Sequence, residues 1–109
     1  MSRDEFEIVL DGLIQLGIFE RDAEGRITMT QDFARDLMAR VDDVLSQPGL
    51  EQALRNHEIG DREVVILIIA EAVKKRVRII DVETLAKYVD AILAYFYAAA
   101  PEKFKAIFG

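Results

Sequence analysis

From Leu13 to Leu37 the chain reads LIQLGIFERDAEGRITMTQDFARDL, and this stretch limits the possible folds more than any other. Phe6, Val9, Leu10, Leu13 and Leu16 recur at helical spacing and lead up to Gly17. Ser2-Arg3-Asp4-Glu5 has the form of a capping box, and glycine can supply the left-handed residue that ends a helix. The spacing therefore predicts a helix from about Arg3 to Leu16. Ile18-Phe19 and Arg26-Ile27-Thr28-Met29 alternate as half-buried strands do, and Asp22-Ala23-Glu24-Gly25 between them reads as a reversal. Thr30 is a good N-cap for the helix that follows. A lone hairpin is marginal in water, so the one predicted over residues 18–29 must bury its apolar face against helices.

The rest of the chain reads as helix. Gln31 to about Ser46 carries the stripe Phe33, Leu37, Val41, Val44 and Leu45, and Pro48-Gly49 breaks it. A short helix from about Leu50 to Glu58 follows, with Leu50, Ala53 and Leu54 on one face. The run Val64-Val65-Ile66-Leu67-Ile68-Ile69 fits a buried strand as well as a helix, because β-branched residues favour both pleat and core. Helix is favoured, since Glu63 leads in and Ala70-Glu71-Ala72-Val73-Lys74-Lys75 continues with no turn signal. A helix apolar on nearly every side belongs at the centre of a bundle. Val77 to Ile80 reads as a connector. Asp81 caps a long helix carrying Val82, Leu85, Val89, Ile92, Leu93 and Phe96, and Pro101 kinks or restarts it before Phe104, Ile107 and Phe108. With 2 Pro and 6 Gly in 109 residues there is little room for loops. The expected fold class is mostly α: a single domain over residues 1–109, a helical bundle of about five helices with one small β-hairpin.

The LxxLGxF…GRIxxT pattern in residues 13–37 resembles the wing region of winged-helix regulators of the MarR and PadR type. The resemblance covers about a quarter of the chain. It implies a DNA-binding transcription regulator in which the helix before Gly17 reads the duplex, residues 18–29 form the wing, and Arg21 and Arg26 contact the backbone or minor groove. Charge argues the other way. Residues 1–45 hold 11 acidic and 5 basic side chains, which accounts for the whole formal charge of −6. A duplex-binding surface needs clustered positive charge, because phosphate neutralisation supplies most of the non-specific affinity.

Other patterns suggest chemistry less directly. Lys74, Lys75, Arg76 and Arg78 put four cations in five residues, a grip for nucleic acid or an anionic ligand, yet cations also collect at helix C-termini to complement the dipole. Asp4, Glu7 and Asp11 lie near one helical face, and Asp32 with Asp36 repeats an i, i+4 spacing. Helical nucleotide pyrophosphatases hold Mg²⁺ with such carboxylates, but here the acids interrupt polar faces, where solvated charge is expected. His57, the only histidine, has no serine or cysteine nucleophile with a recognisable signature beside it. No metal or cofactor is expected, and an enzyme is the least favoured class. The absence of Cys suits a reducing cytoplasm, the MSRDEFE start lacks the form of a signal peptide, and Val64 to Ala70 is too short to span a bilayer.

The helix after Asp81 carries a second stripe, Tyr88, Ala91 and Tyr95 with Ala98 or Ala99, displaced from the first. A peripheral helix of a small bundle needs only one. Either this helix is more central than its position suggests, or the surplus face is covered by another chain. Aromatic residues on a spare face are common interface anchors. The sequence thus points to a non-enzymatic interaction or oligomerisation module, a homodimer or a partner-binding domain, using Tyr88, Tyr95, Phe96, Phe104 and Phe108.

Overall fold

The computed structural model describes residues 2–56 and 60–109. Its elements run α1 (Arg3–Gln15), β1 (Phe19–Arg21), β2 (Ile27–Met29), α2 (Gln31–Leu45), α3 (Leu50–Arg55), α4 (Asp61–Lys74), α5 (Val82–Ala99) and α6 (Pro101–Phe108). The molecule is a helical bundle with a single antiparallel hairpin, as the periodicities require.

Each boundary has a local cause. The Ser2 hydroxyl accepts the Glu5 N–H at 3.2 Å and starts α1. At its far end Gly17 adopts φ +74°, and the Gly17 and Ile18 N–H groups donate to the Ile14 and Leu13 carbonyls, both at 3.0 Å. This pair of bonds closes the helix and turns the chain into the hairpin. The strands pair Phe19 with Met29, Glu20 with Thr28 and Arg21 with Ile27. The Thr30 N–H reaches the Ile18 carbonyl at 3.0 Å, so the ladder continues one step beyond β1. Thr30 then caps α2, its hydroxyl accepting the Phe33 N–H at 3.2 Å.

Residues 64–69 lie within the α4 helix. Val64, Ile68, Ile69, Ala72 and Val73 are buried, with α2 on one side of α4 and α5 on the other. The helix is less enclosed than the sequence suggests, because Leu67 is half exposed. Three other positions assigned to apolar stripes are also exposed: Phe6 near the start of α1, Leu45 in the last turn of α2, and Val82 at 83%. All three sit near helix ends, where packing is less complete. Pro101 restarts the helix rather than bending it. Ala100 leaves helical geometry at φ −143°, ψ 54°, and Pro101 occupies the first turn of α6, where its missing N–H costs no hydrogen bond.

The second stripe of α5 is used inside the fold. α5 packs against α1, α4 and α6, and Val89, Ala91, Ile92, Leu93 and Phe96 are all buried. Gly12 on α1 lets Tyr88 lie directly on the helix backbone, since a Cβ at Gly12 would meet the tyrosine ring, with Cζ only 3.0 Å away. Replacing Gly12 with Ala is therefore expected to lower stability by about 1–2 kcal/mol, the cost of overpacking outweighing the better helix propensity of alanine. Urea denaturation followed by circular dichroism checks this. Gly12→Ala combined with Tyr88→Leu should recover most of the loss.

Candidate functional site

The aromatic residues expected on a spare face hold the chain to itself. Phe96 is 0% exposed. Phe104 and Phe108 meet its ring edge-on at centroid distances of 5.5 and 6.0 Å and lie tilted against each other at 4.9 Å, which folds α6 back over α5. Tyr95 lies against Phe19 at 5.1 Å, and its hydroxyl accepts the Met29 N–H at 3.2 Å, pinning the hairpin to α5. Tyr88, Tyr95, Phe104 and Phe108 are all half-buried against the core. The face read as surplus is thus largely the contact surface of α5 with α1, the hairpin and α6.

What α5 leaves open is its alanine flank. Phe6 and Leu10 of α1, Ile27 of β2, and Ala91, Ala94 and Ala98 of α5 line an open groove of about 730 Å³. Phe6 is 40% exposed at its edge, and Ala94 and Ala98 are exposed along one wall. Small side chains on that wall create the hollow, since each stops at Cβ where a neighbouring tyrosine would fill the space. The charged residues in the groove lining are Asp22 and Arg26, which pair with each other, while Asp4, Glu5, Glu7 and Asp11 of α1 are exposed to solvent. Periodicity placed Phe6 and Leu10 on the apolar stripe of α1 but did not single out Ala94, because one alanine among apolar residues carries no pattern of its own.

The basic residues have structural occupations of differing strength. Arg76 is a tie between elements. Its Nη2 and Nε donate to Asp36 Oδ2 at 2.6 and 3.2 Å, its Nη1 donates to the Leu16 and Gly17 carbonyls at 3.0 and 3.3 Å, and its guanidinium lies 5.3 Å from the Phe33 ring centre. Arg76 is therefore committed to the fold and not free to grip an anion. In the hairpin Arg26 pairs with Asp22 at 3.0 Å and Glu24 at 3.4 Å, and Arg21 donates to the Gly25 carbonyl at 3.3 Å. Lys74 pairs with Glu71 at 3.4 Å on the surface, while Lys75 and Arg78 are exposed.

The carboxylates of the two helical spacings stay apart. Asp4, Glu7 and Asp11 face solvent, Asp32 pairs with Arg35, and Asp36 is held by Arg76. Among the described residues no three His, Cys, Asp or Glu side chains converge to hold a metal ion. His57 lies outside the described residues. No described helix is long and apolar enough to cross a membrane.

Compared with known protein families, curated proteins and solved structures, the chain matches none. The likeness of residues 13–37 to a wing region rests on those residues alone.

Two measurements test these ties. Arg76→Met should destabilise the protein by about 1–3 kcal/mol, and Arg76→Lys should recover little, because an ammonium cannot serve the carboxylate and two carbonyls together. Asp22 has its carboxyl held below the usual aspartate range, chiefly by the Arg26 backbone N–H, with the Glu24 N–H and the Arg26 charge adding to it. A depressed pKa contributes stability above the unfolded value, lost as pH falls through the folded one. Acidification below about pH 4 should therefore loosen the hairpin. Protection against amide exchange at Glu24 and Arg26, relative to the intrinsic rate, should fall in the acid limb, and Asp22→Ala should abolish that pH dependence.

Proposed function

We propose that this protein is a non-enzymatic interaction module, and that the groove between α1, the hairpin and α5 is its docking surface. One observation carries the reading: a concave apolar surface of about 730 Å³ lies open between α1, the hairpin and α5. A hollow walled by Ala91, Ala94 and Ala98 and edged by Phe6 accepts a convex apolar segment, with alanine permitting close backbone approach. A cysteine-free sequence is in keeping with a cytoplasmic setting.

The groove differs from a symmetric dimer seam. Two copies placed face to face across it would oppose hollow to hollow and leave a void, which interfaces packed to interior density do not contain. A protruding element is the better complement.

The second reading is a winged-helix-like DNA-binding regulator, supported by a hairpin that lies directly between α1 and α2. Against it stand the local pairing of Arg26 with Asp22 and Glu24, and the acidic outer face of α1.

The groove is tested with a neutral, solvent-sensitive fluorophore such as Nile red. The native chain should bind it, and Ala94→Arg should weaken binding about tenfold or more while leaving the circular dichroism spectrum unchanged. Undiminished binding by that variant would remove the groove as the docking surface. In the same series, a labelled random duplex at low salt should show no anisotropy change. Binding that fell steeply with salt and with Arg21→Ala/Arg26→Ala would favour the regulator instead.

A further inference from the structure

The hairpin leaves a strand edge open along the groove. The Thr30 N–H donates to the Ile18 carbonyl and the Asp22 N–H to the Arg26 carbonyl. With the register of β1 and β2, the residues that face each other across ladder hydrogen bonds are therefore Ile18 with Thr30, Glu20 with Thr28, and Asp22 with Arg26. Residues lying between such pairs aim both backbone groups away from the partner strand. On β2 these are Ile27 and Met29. The Tyr95 hydroxyl accepts the outward Met29 N–H at 3.2 Å, so this edge faces α5. Ile27, Thr28 and Tyr95 all line the groove. Among the described residues, nothing in the fold bonds to the outward N–H and C=O of Ile27.

We infer that the occupant of the groove is an extended peptide segment of another protein, which joins β2 as a third strand by exchanging two backbone hydrogen bonds with Ile27. The inference rests on the groove being a docking surface and names the partner's chemistry. A donor and an acceptor side by side on one residue are what a strand offers to another strand. A helical occupant uses its own N–H and C=O groups internally and would leave Ile27 unmet. A second copy offering its own Ile27 would set hollow against hollow and leave a void.

Register also dictates the peptide's pattern. Residues directly opposite each other send their side chains to the same face of a sheet. Ile27 shares its face with Phe19 and Met29, the buried face of the hairpin. The peptide residue paired with Ile27 therefore points into the groove and is apolar, and its two neighbours point away and are free to be polar. Because Tyr95 holds the Met29 N–H, pairing centres on Ile27 alone. So small a contact corresponds to a dissociation constant of about 1 mM.

The test is a titration of the isotope-labelled full chain with acetyl-Thr-Val-Thr-Val-Thr-amide up to about 10 mM, followed by amide spectra and amide exchange. The Ile27 amide should shift and gain protection as the peptide binds. N-methylating both valines removes the donors that face β2, whereas N-methylating two threonines alters donors that face away. The first change should weaken binding about tenfold or more and the second less than about twofold. Ile27→Pro removes the outward N–H without breaking the ladder, so circular dichroism should be unchanged and peptide binding about tenfold weaker or more.

Equal weakening by the two methylation patterns, or full binding by Ile27→Pro, would overturn the inference and leave the groove a surface for apolar side chains alone. No binding up to about 10 mM would also overturn it, with fluorophore binding then judging the groove by itself. Undiminished peptide binding by Ala94→Arg would place the peptide outside the groove and defeat the inference. An Ile27 amide already protected without peptide, in a chain whose mass doubles with concentration, would assign the edge to a second copy instead.

Discussion

The guanidinium of Arg76 ties together, at the edge of the core they share, the end of α1, the second turn of α2 and the end of α4. α1 ends at Gln15 with its last carbonyls facing outward, as every helix does, and those of Leu16 and Gly17 just beyond are the ones Arg76 reaches from the end of α4. The same group holds Asp36 of α2 and lies on the Phe33 ring. A cation at a helix C-terminus also complements the dipole. The start of the hairpin, the entry of α2 and the end of α4 are thereby set relative to one another by one side chain, within reach of the Thr30 hydroxyl that donates to the same Gly17 carbonyl at 2.6 Å. A lysine would offer a point charge where a planar fork is required.

With that corner set, α5 can be apolar on two sides. One side packs on α4 and, through Phe96, on the aromatic pair of α6. The other receives α1 at Gly12 and the hairpin at Tyr95. The hydroxyl of Tyr95 takes up a strand N–H that points away from the ladder and would otherwise be short of a partner. The long helix is thus the spine of the molecule, and its aromatic residues secure the elements around it. Its alanine flank stays open as one wall of the groove, because small side chains there do not fill the space toward α1 and the hairpin.

The arrangement of charge follows from the same geometry. Acidic residues gather on the outer face of α1, where nothing packs, and cations gather at the end of α4 around the Ile79–Val82 tip. Arg76 is the one member of that cationic run turned inward, so the run is less a phosphate grip than its spacing implies.

The mostly helical fold, the hairpin over residues 18–29 and the N-caps Ser2, Thr30 and Asp81 were legible in the sequence, because each rests on chemistry within four residues of the position concerned. Gly17 ends a helix by its own backbone freedom, and Asp81 caps by its own side chain, whatever lies around them. The helical state of residues 64–69 needed the flanking Glu63 and Ala70–Lys75 to be weighed, since β-branched runs suit either state. The burial of Phe96, the use of Tyr88 and Tyr95 against α1 and the hairpin, the inward turn of Arg76, and the exposure of Val82 and Leu45 were decided only by tertiary structure. A periodic stripe tells that a face is apolar but not which neighbour, if any, reaches it. That answer depends on contacts between residues 40 to 66 positions apart, such as Arg76 with Asp36 and Tyr95 with Met29, and no local pattern records them.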